Sequence, residues 1–243
     1  MMVFMTSSLN LKGAKIFVLT GAGISAASGI KTFRDSNGLW RNHNIHDVAS
    51  EHGFFKSPET VWEFYSERRK QASGCAPSKA HYALANLQKF AEVFVATQNV
   101  DNLHENAGTK YLQHIHGELF RSCCSNPDCP GNINSVADHT LPVLEVAIAK
   151  CNICGWLMRP DVVWFGESTR SEAVLEHLLD CTHFIAIGTS GSVYPAAMYA
   201  QVALQRQIPS VYIGPEQPEN AHGFSEIILG NADDVMAEFM ASL

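Results

Sequence analysis

Four cysteines in two close pairs are the residues whose spacing most directly implies chemistry. Cys124 and Cys129 are separated by four residues, and Cys151 and Cys154 by two. Two such pairs are the usual way to build a tetrahedral zinc site, because each pair holds two sulfurs on one tight turn. Four thiolates leave no open coordination position, so the predicted zinc is structural. Two alternatives remain: reduced cysteines without a metal, and Cys123 in place of Cys124 as the first ligand.

Polar residues that could act on a ligand follow two predicted strands. Gln98, Asn99 and Asp101 come directly after an apolar segment and could hydrogen-bond a ribose and a carboxamide, or could cap the next helix. His116 follows another short strand, and a histidine that titrates near neutrality suits a general base. The residues alone favour a structural or metal-binding role for it. His114 lies two residues earlier, so both rings are expected on one face of a strand.

A turn of small residues follows the first predicted strand. The apolar run 16–19 ends at Thr20, and residues 21–23 read Gly-Ala-Gly before a predicted first helical turn over 24–28. A strand, a small-residue turn and a helix N-terminus together can hold a nucleotide phosphate. The spacing departs from G-x-G-x-x-G because Ala26 occupies the third glycine position. A plain strand-to-helix turn is therefore an equally good interpretation.

Two further segments have the composition of ligand-contacting loops. Residues 188–193 are small or hydroxylated and follow a strand, so they could contact phosphate or ribose. Residues 159–167, RPDVVWFGE, are extended, apolar and end near a glycine. Such a segment can pair with a substrate peptide as an added strand, although a core strand is the simpler interpretation.

The elements that position these residues alternate between strand and helix. This alternation predicts a doubly wound, Rossmann-like α/β fold whose parallel sheet is covered on both faces. The predicted strands after the first are 92–97, 111–115, 161–164, 183–187 and 209–213. The predicted helices are 58–72, beginning with Ser57 as cap, and 78–90, 102–108, 171–179, 194–207 and 232–243.

Two segments interrupt this alternation and predict a smaller lobe. The chain is expected to form one catalytic unit over 1–243. Its large Rossmann-like lobe comprises about 1–38, 77–116 and 159–243. Its small lobe comprises a helical insert over about 39–76 and a zinc-binding insert over about 117–158.

Composition excludes several classes of protein. The chain has 243 residues, of which 46% are hydrophobic, so a large core is available. The formal net charge is −7, which argues against general binding to nucleic acids or anionic membranes. No apolar run has the length of a membrane span, and the N-terminus is not a convincing signal peptide. A cytoplasmic protein is expected.

Six motifs in order resemble those of the sirtuins, the NAD-dependent protein deacylases. They are GAGISAASGIKTFR with GLW, TQNVDNLHENAG, HIHGE, the two cysteine pairs, RPDVVWFGE and GTSGSVYPAA, and they span Gly21 to about Ala197. The resemblance implies His116 as catalytic base and Cys124 as first zinc ligand. It also implies NAD contacts from Gly21, Ala22, Gly23, Ser25, Thr32, Phe33, Arg34, Trp40, Gln98, Asn99, Asp101, Gly188, Thr189, Ser190 and Ala232.

The resemblance also implies a reaction and a substrate class. The acyl oxygen of a modified lysine would attack the nicotinamide-bearing carbon of NAD, and His116 would act as base for a ribose hydroxyl. Acyl-lysine proteins would be the partners, held by Val162, Val163, Trp164, Phe165 and Gly166. An ADP-ribosyltransferase using the same NAD site and a non-catalytic NAD-binding module are the alternatives.

One motif points to the acyl group. Tyr65 and Arg68 lie three residues apart on a predicted helix and so share a face. Composition alone favours a solvated helix surface, with Glu67, Arg68 and Arg69 as ordinary charges. However, FYSERR resembles the Tyr-x-x-Arg motif of sirtuins that remove succinyl and malonyl groups. Residues 212–224, by contrast, depart from the family pattern near the adenosine ribose.

Overall fold

The computed structural model describes residues 13–30, 39–40, 43–139 and 148–241, with the backbone alone at 39, 40 and 43. The described residues form eleven strands: β1 (Lys15–Thr20), β2 (Leu39–Trp40), β3 (His43–Asn44), β4 (Glu92–Thr97), β5 (Leu112–His114), β6 (Gly117–Cys124), β7 (Val136–Ala137), β8 (Met158–Val162), β9 (His183–Ile187), β10 (Ser210–Gly214) and β11 (Glu226–Leu229). They also form nine α-helices: Ile45–Val48, Glu51–Lys56, Pro58–Ser73, Lys79–Leu87, Leu103–Asn106, Pro130–Ile133, Glu172–Asp180, Tyr199–Gln205 and Ala232–Ala241.

Six strands make a parallel sheet in the order β11-β10-β9-β1-β4-β5. Side chains of β1 alternate between its two faces, as strand geometry requires. Ile16 and Val18 pack in one core with helices Lys79–Leu87 and Ala232–Ala241. Phe17 packs in the other core with helices Glu172–Asp180 and Tyr199–Gln205. The predicted α/β class with a doubly covered parallel sheet is therefore confirmed.

A second, antiparallel sheet has the order β7-β6-β8. Leu119 of β6 and Val162 of β8 pack in a third core with helix Pro58–Ser73. This core joins the helical segment to the strand that leads into residues 163–167. The small sheet thus connects the cysteine segment to the edge of the main sheet.

Several predicted element boundaries are wrong. The strand expected over 161–164 is β8, which ends at Val162, and β6 and β11 were not predicted. The helical turn expected over 24–28 is two 3-10 turns, Ala22–Ile24 and Ala26–Ser28, separated at Ser25. The helix expected over 194–207 begins only at Tyr199, after a 3-10 turn. Tertiary hydrogen bonds, which local periodicity does not encode, set these boundaries.

Helix Pro58–Ser73 is not capped as predicted. The Ser57 hydroxyl pairs with the Thr60 hydroxyl at 2.8 Å, and its side chain accepts no cap hydrogen bond from the helix backbone. Helix Lys79–Leu87 instead has a capping box in which the Ser78 backbone N–H donates to Nδ1 of His81. Within the described residues, no helix combines the length and apolar composition needed to cross a membrane.

Candidate active site at the carboxyl edge of the sheet

Four segments with candidate site residues meet at the carboxyl edge of the parallel sheet. They follow β1 at 21–25, β4 at 98–101, β5 at 115–116 and β9 at 188–190. These strands are adjacent in the order β9-β1-β4-β5. Loops at this edge of an open α/β sheet line the ligand crevice. The topology therefore brings together residues that lie up to 169 positions apart in the sequence.

The small-residue turn after β1 packs on the turn after β9. The Gly21 and Gly23 amides donate to the carbonyls of Ile187 and Gly188 at 3.0 and 2.9 Å. A Cβ added at Gly23 would lie 2.6 Å from the Gly188 Cα. The glycines are thus required because two backbone segments approach each other. The NAD contacts that the resemblance implies for Gly21 and Gly23 stay predictions.

Ser25, Asn99 and Asp101 form a buried network below the crevice. The Ser25 hydroxyl donates to Asp101 Oδ2 at 3.1 Å and accepts from Asn99 Nδ2 at 3.1 Å. Asn99 Nδ2 also donates to the Gly21 carbonyl at 3.2 Å. Burial raises the pKa of Asp101, against hydrogen bonds from the Leu103 amide and Ser25 that lower it. The network ties the turn after β1 to the loop after β4.

A second polar link joins the β4 and β9 loops. Gln98 Nε2 donates to the Thr189 hydroxyl at 2.9 Å. The Thr189 carbonyl accepts from the Tyr212 hydroxyl at 3.1 Å. A Cβ added at Gly214 would lie 2.2 Å from that hydroxyl oxygen, so the Tyr212 side chain fills the space beside Gly214. The Tyr212 side chain therefore leaves no room for a side chain at position 214.

His116 has one ring nitrogen fixed by the backbone. Its Nδ1 lies 3.1 Å from the Gln98 carbonyl, which can only accept a hydrogen bond, so Nδ1 carries the proton in the neutral ring. Nε2 then holds the lone pair that a general base needs. Burial lowers the pKa of His116, and the bond to Gln98 opposes that shift. The neutral, basic form therefore dominates at pH 7.

His114 has a different environment from His116. It is the last residue of β5, whereas His116 lies beyond the strand, so the strand that was expected to carry both rings ends before His116. His114 Nδ1 bonds the Asn99 carbonyl at 2.7 Å, and its Nε2 pairs with Glu105 Oε1 at 2.8 Å. The expectation that His114 hydrogen-bonds nearby agrees with these contacts. Glu105 raises the pKa of His114 against the lowering effect of burial.

Two fully buried histidines support the crevice from below. The His104 ring bonds the Thr20 hydroxyl at 2.9 Å, and Thr20 donates to Thr97 at 2.8 Å. The Thr97 hydroxyl then accepts from the Asn99 amide at 3.1 Å. His81 stacks edge-on against His104, with ring centroids 4.7 Å apart. Burial lowers the pKa of His81 to about 4 and that of His104 well below its usual value.

These histidines should make the fold sensitive to acid. An unfolded histidine titrates near pH 6.5. Between that pH and about 4, His81 in the folded chain binds fewer protons than in the unfolded chain, so the free energy of unfolding falls as pH falls. Between pH 7 and pH 5, His81 should account for a fall of about 2 kcal/mol in the free energy of unfolding.

The variant His81→Gln tests this effect, because glutamine can keep the capping box without titrating. In urea unfolding, the fall in the free energy of unfolding between pH 7 and pH 5 should be smaller in the variant by that amount. An equally steep dependence in the variant would contradict this assignment.

The segment after β8 alternates between buried and accessible side chains. Val162 and Trp164 are buried in the small-sheet core, Val163 is half-buried, and Phe165 is exposed. Gly166 is also exposed, with a φ of +93° that favours glycine. The Val163 amide donates to the His116 carbonyl at 2.9 Å. The proposed peptide segment therefore runs directly beside His116.

Two charged residues that the sequence analysis missed hold this segment. Arg159 is 8% exposed, pairs with the Glu167 carboxylate and lies 3.5 Å from the Trp164 ring centroid. Arg159 also donates to the Val162 carbonyl at 2.8 Å, and Glu167 accepts from the Trp164 amide at 2.8 Å. The sequence did contain a signal for this ion pair, since residues of opposite charge stand at the two ends of the apolar run RPDVVWFGE.

Tyr65 joins the helical segment to the peptide segment. It is 1% exposed, and its hydroxyl oxygen accepts from Trp164 Nε1 at 3.0 Å. Burial raises the pKa of Tyr65 to about 12, although the Arg68 charge acts to lower it. Arg68 is half-buried one helical turn away, with its guanidinium carbon 5.7 Å from the Phe64 ring centroid. The helix thus presents the Tyr65 phenol to Trp164, with the Arg68 guanidinium beside Tyr65 and Phe64.

The structure brings the sulfurs of Cys124, Cys129, Cys151 and Cys154 within 4.8 Å of one another. The pairs 124–154 and 129–151 lie 3.4 and 3.8 Å apart. Sulfurs around one tetrahedral zinc are expected about 3.8 Å apart. Backbone amides of Cys154 and Ile153 lower the pKa of Cys151, which favours the thiolate that zinc requires. Cys123 lies outside this cluster.

Comparison with known protein families shows which family has these motifs. The model of the Sir2 family matches residues 21–195, which include all four crevice segments and the four cysteines. The chain belongs to the Sir2, or sirtuin, family. It is 43% identical over 230 residues to an NAD-dependent protein deacylase of Leishmania major, covering 91% of this chain and 92% of the relative.

Other similarities of this Sir2-family chain agree. It is 42% identical to an NAD-dependent protein deacylase of Pasteurella multocida, covering 95% of this chain and 98% of the relative. Among solved structures it resembles a Sir2 homologue in complex with NAD. That similarity has 35% identity and a TM-score of 0.84, and covers 94% of this chain and 89% of the other.

The predicted cofactor residues of this Sir2-family chain fall into three groups. Residues 21–25, 98–101 and 188–190 lie together at the carboxyl edge of the sheet and are joined by hydrogen bonds, and their contacts with NAD stay predictions. Ala232 is buried at the start of the last helix, in the core beside β10. Thr32, Phe33, Arg34 and the Trp40 side chain lie outside the described residues.

The cysteine cluster predicts a measurable metal content. The protein should carry about one zinc per chain, and Cys151→Ser should lose it and lower the melting temperature, since metal binding and local folding are coupled. Cys123→Ser is the matched control, because Cys123 is buried beside Cys124 but outside the cluster. Metal analysis should find zinc in the control. Protein purified without chelators that contains no zinc would contradict the prediction.

Proposed function

We propose that this chain is an NAD-dependent protein-lysine deacylase that removes acetyl groups and also succinyl and malonyl groups. The observation that carries the proposal is the placement of His116 between the polar crevice and the segment 162–166. A base with a fixed tautomer would thus lie between the proposed dinucleotide site and the proposed peptide segment. The deacylase names of relatives at about 42% identity support the same activity.

The residues of the chain have separate tasks in this reaction. NAD supplies the chemistry, an electrophilic ribose carbon that loses nicotinamide when the acyl oxygen of the substrate lysine attacks it. Residues 21–25 and 188–190 would bind the dinucleotide phosphates and ribose. Asn99 and Asp101 would orient the nicotinamide ribose, held by the Ser25 hydroxyl. The protein contributes orientation and exclusion of water.

His116 would move one proton. Its Nε2 would accept the proton of a ribose hydroxyl, and the resulting imidazolium would donate Nδ1–H to the Gln98 carbonyl. That carbonyl both selects the tautomer and stabilises the charged ring. One water is consumed overall: the acyl group is expected to end as an ester on the ribose hydroxyl of ADP-ribose, and the C–N bond to lysine breaks to release the free amine.

Tyr65 and Arg68 would select the acyl group. A succinyl or malonyl group ends in a carboxylate, which an arginine can bind through two charge-assisted hydrogen bonds. The Tyr65 oxygen already accepts from Trp164, so its own O–H is oriented as a donor to a further acceptor. A neutral acetyl group offers these donors no carboxylate, so it does not gain these hydrogen bonds.

The division of substrate contacts follows the observed burial. Val163, Phe165 and Gly166 would contact the acyl-lysine peptide, because they are the accessible positions of the segment. Val162 and Trp164 would form the wall behind it, because both are buried in the small-sheet core. Acyl-lysine proteins are thus the proposed partners.

A panel of matched peptides tests this proposal. One peptide sequence should be assayed with acetyl, succinyl, malonyl or unmodified lysine, each with and without NAD, with nicotinamide release and free lysine as readouts. We expect NAD-dependent release of lysine from all three acyl peptides and none from the unmodified one. Release of lysine without NAD would contradict the proposed NAD-dependent activity. Activity on the acetyl peptide alone would contradict the proposed succinyl and malonyl specificity.

A further inference from the structure

A second group of potential metal ligands lies beside the crevice, away from the four cysteines. Glu105, His114 and Glu118 each place one ligand atom within 4.8 Å of the others. Glu105 is in the short helix Leu103–Asn106, His114 ends β5 and Glu118 is the second residue of β6. Three separate elements therefore converge on this point.

His114 is oriented as metal-binding histidines usually are. Its Nδ1 bonds the Asn99 carbonyl at 2.7 Å, which fixes the ring and directs Nε2 outwards. Nε2 lies 2.8 Å from Glu105 Oε1. A ligand histidine almost always donates its other N–H to a carbonyl or carboxylate in this way. The His114 side chain is 6% exposed, so its position is defined by packing as well.

Both carboxylates are accessible to an ion from the solvent. The Glu105 and Glu118 side chains are 41% and 37% exposed, so water can reach the group at these two residues. Arg121 is the nearby cation, 3.8 Å from Glu118 Oε1. Its Nε donates to the Ser135 hydroxyl at 2.8 Å, so the hydrogen bond that orients this guanidinium is directed to Ser135.

We propose that Glu105, His114 and Glu118 bind a divalent first-row transition ion, with zinc as the probe. One imidazole nitrogen and two carboxylate oxygens are ligands that such ions accept, and they would neutralise its charge. Three protein ligands leave positions for water at the open side, unlike the closed four-sulfur site. The ion would lie one hydrogen bond from Asn99, through the His114 ring.

Calorimetric titration tests the proposal. Zinc would be added to protein that already carries its structural zinc, and binding beyond that first equivalent would be measured. We expect one further equivalent, weakened more than about tenfold in Glu118→Gln and in Glu105→Gln. The matched control is Asp180→Asn, another exposed carboxylate in an ion pair, with Lys15 at the opposite edge of the sheet.

The outcomes separate the proposal from unspecific surface binding. A second equivalent that Asp180→Asn retains and both glutamine variants weaken supports the site. The absence of a second equivalent overturns it. A second equivalent that the glutamine variants bind as well as the unaltered chain also overturns it. Metal content and melting temperature show that every variant keeps the structural zinc and the fold.

Discussion

His116→Ala is expected to lower NAD-dependent deacylation at least about a thousandfold, within the range that general base catalysis supplies. The reason is that the Gln98 carbonyl holds the proton of His116 on Nδ1, so that Nε2 carries the lone pair that accepts a proton. The variant should keep its fold, because the lost hydrogen bond is a single one. It should also keep its zinc, because the cysteine cluster lies at and beyond the far end of β6, away from His116. Steady-state turnover of a succinyl peptide measures the effect.

Replacing a second histidine outside the crevice shows whether the loss of activity is specific to His116 or follows from removing any imidazole ring. His177 is exposed and stacks on Phe94, with ring centroids 3.7 Å apart, so His177→Ala should retain activity. The pH profile adds a second readout. Because burial lowers the pKa of His116, kcat/KM should rise with pH through a midpoint below the ordinary histidine value of 6.5. Near-normal turnover of His116→Ala would remove this residue from its assigned role.

Arg68→Met is expected to depress desuccinylation about 10- to 100-fold while deacetylation changes little. A charge-assisted hydrogen bond to a carboxylate contributes about 1.5–3 kcal/mol, and that contribution applies only to substrates that carry the carboxylate. Methionine keeps most of the packing volume of the arginine stem. Tyr65→Phe should act in the same direction more mildly, since it removes one hydroxyl. The ratio of kcat/KM for matched succinyl and acetyl peptides measures the selectivity.

The neighbouring arginine is the control for this prediction. Arg69 is fully buried, donates to the Leu119 carbonyl at 2.7 Å and pairs with Asp138 at 3.0 Å. Arg69→Met should therefore lower the melting temperature and reduce both activities by a similar factor. If Arg68→Met also reduced both activities equally, Arg68 would be structural and the acyl assignment would fail.

The two arginines also show what a sequence can predict. Helical spacing correctly put Tyr65 and Arg68 on one face of a helix, because that relation is local. It could not distinguish Arg68 from Arg69, which composition treats as equal surface charges. Arg69 is buried because β6 and Asp138, 50 to 69 residues away, cover it. Burial of this kind depends on tertiary contacts, which local periodicity does not contain.

In the site, too, local features were predictable from the sequence and tertiary contacts were not. The alternation of strands and helices was enough to place the loops after β1, β4 and β9 at one edge, because parallel strands share a carboxyl end. The cysteine spacing gave the four clustered thiols. The turn packing of Gly21 and Gly23 on Gly188 was not foreseen, because two strands distant in sequence make it. The buried His81–His104 pair was missed for the same reason.

The identity of the acyl-bearing product tests the central claim most directly. A succinyl peptide and NAD would be incubated with the protein, and the products quantified by mass spectrometry. Deacylation predicts equal amounts of nicotinamide, free-lysine peptide and O-succinyl-ADP-ribose. ADP-ribose attached to protein, with no O-acyl-ADP-ribose and no free-lysine peptide, would contradict the account and favour an ADP-ribosyltransferase that uses the same crevice.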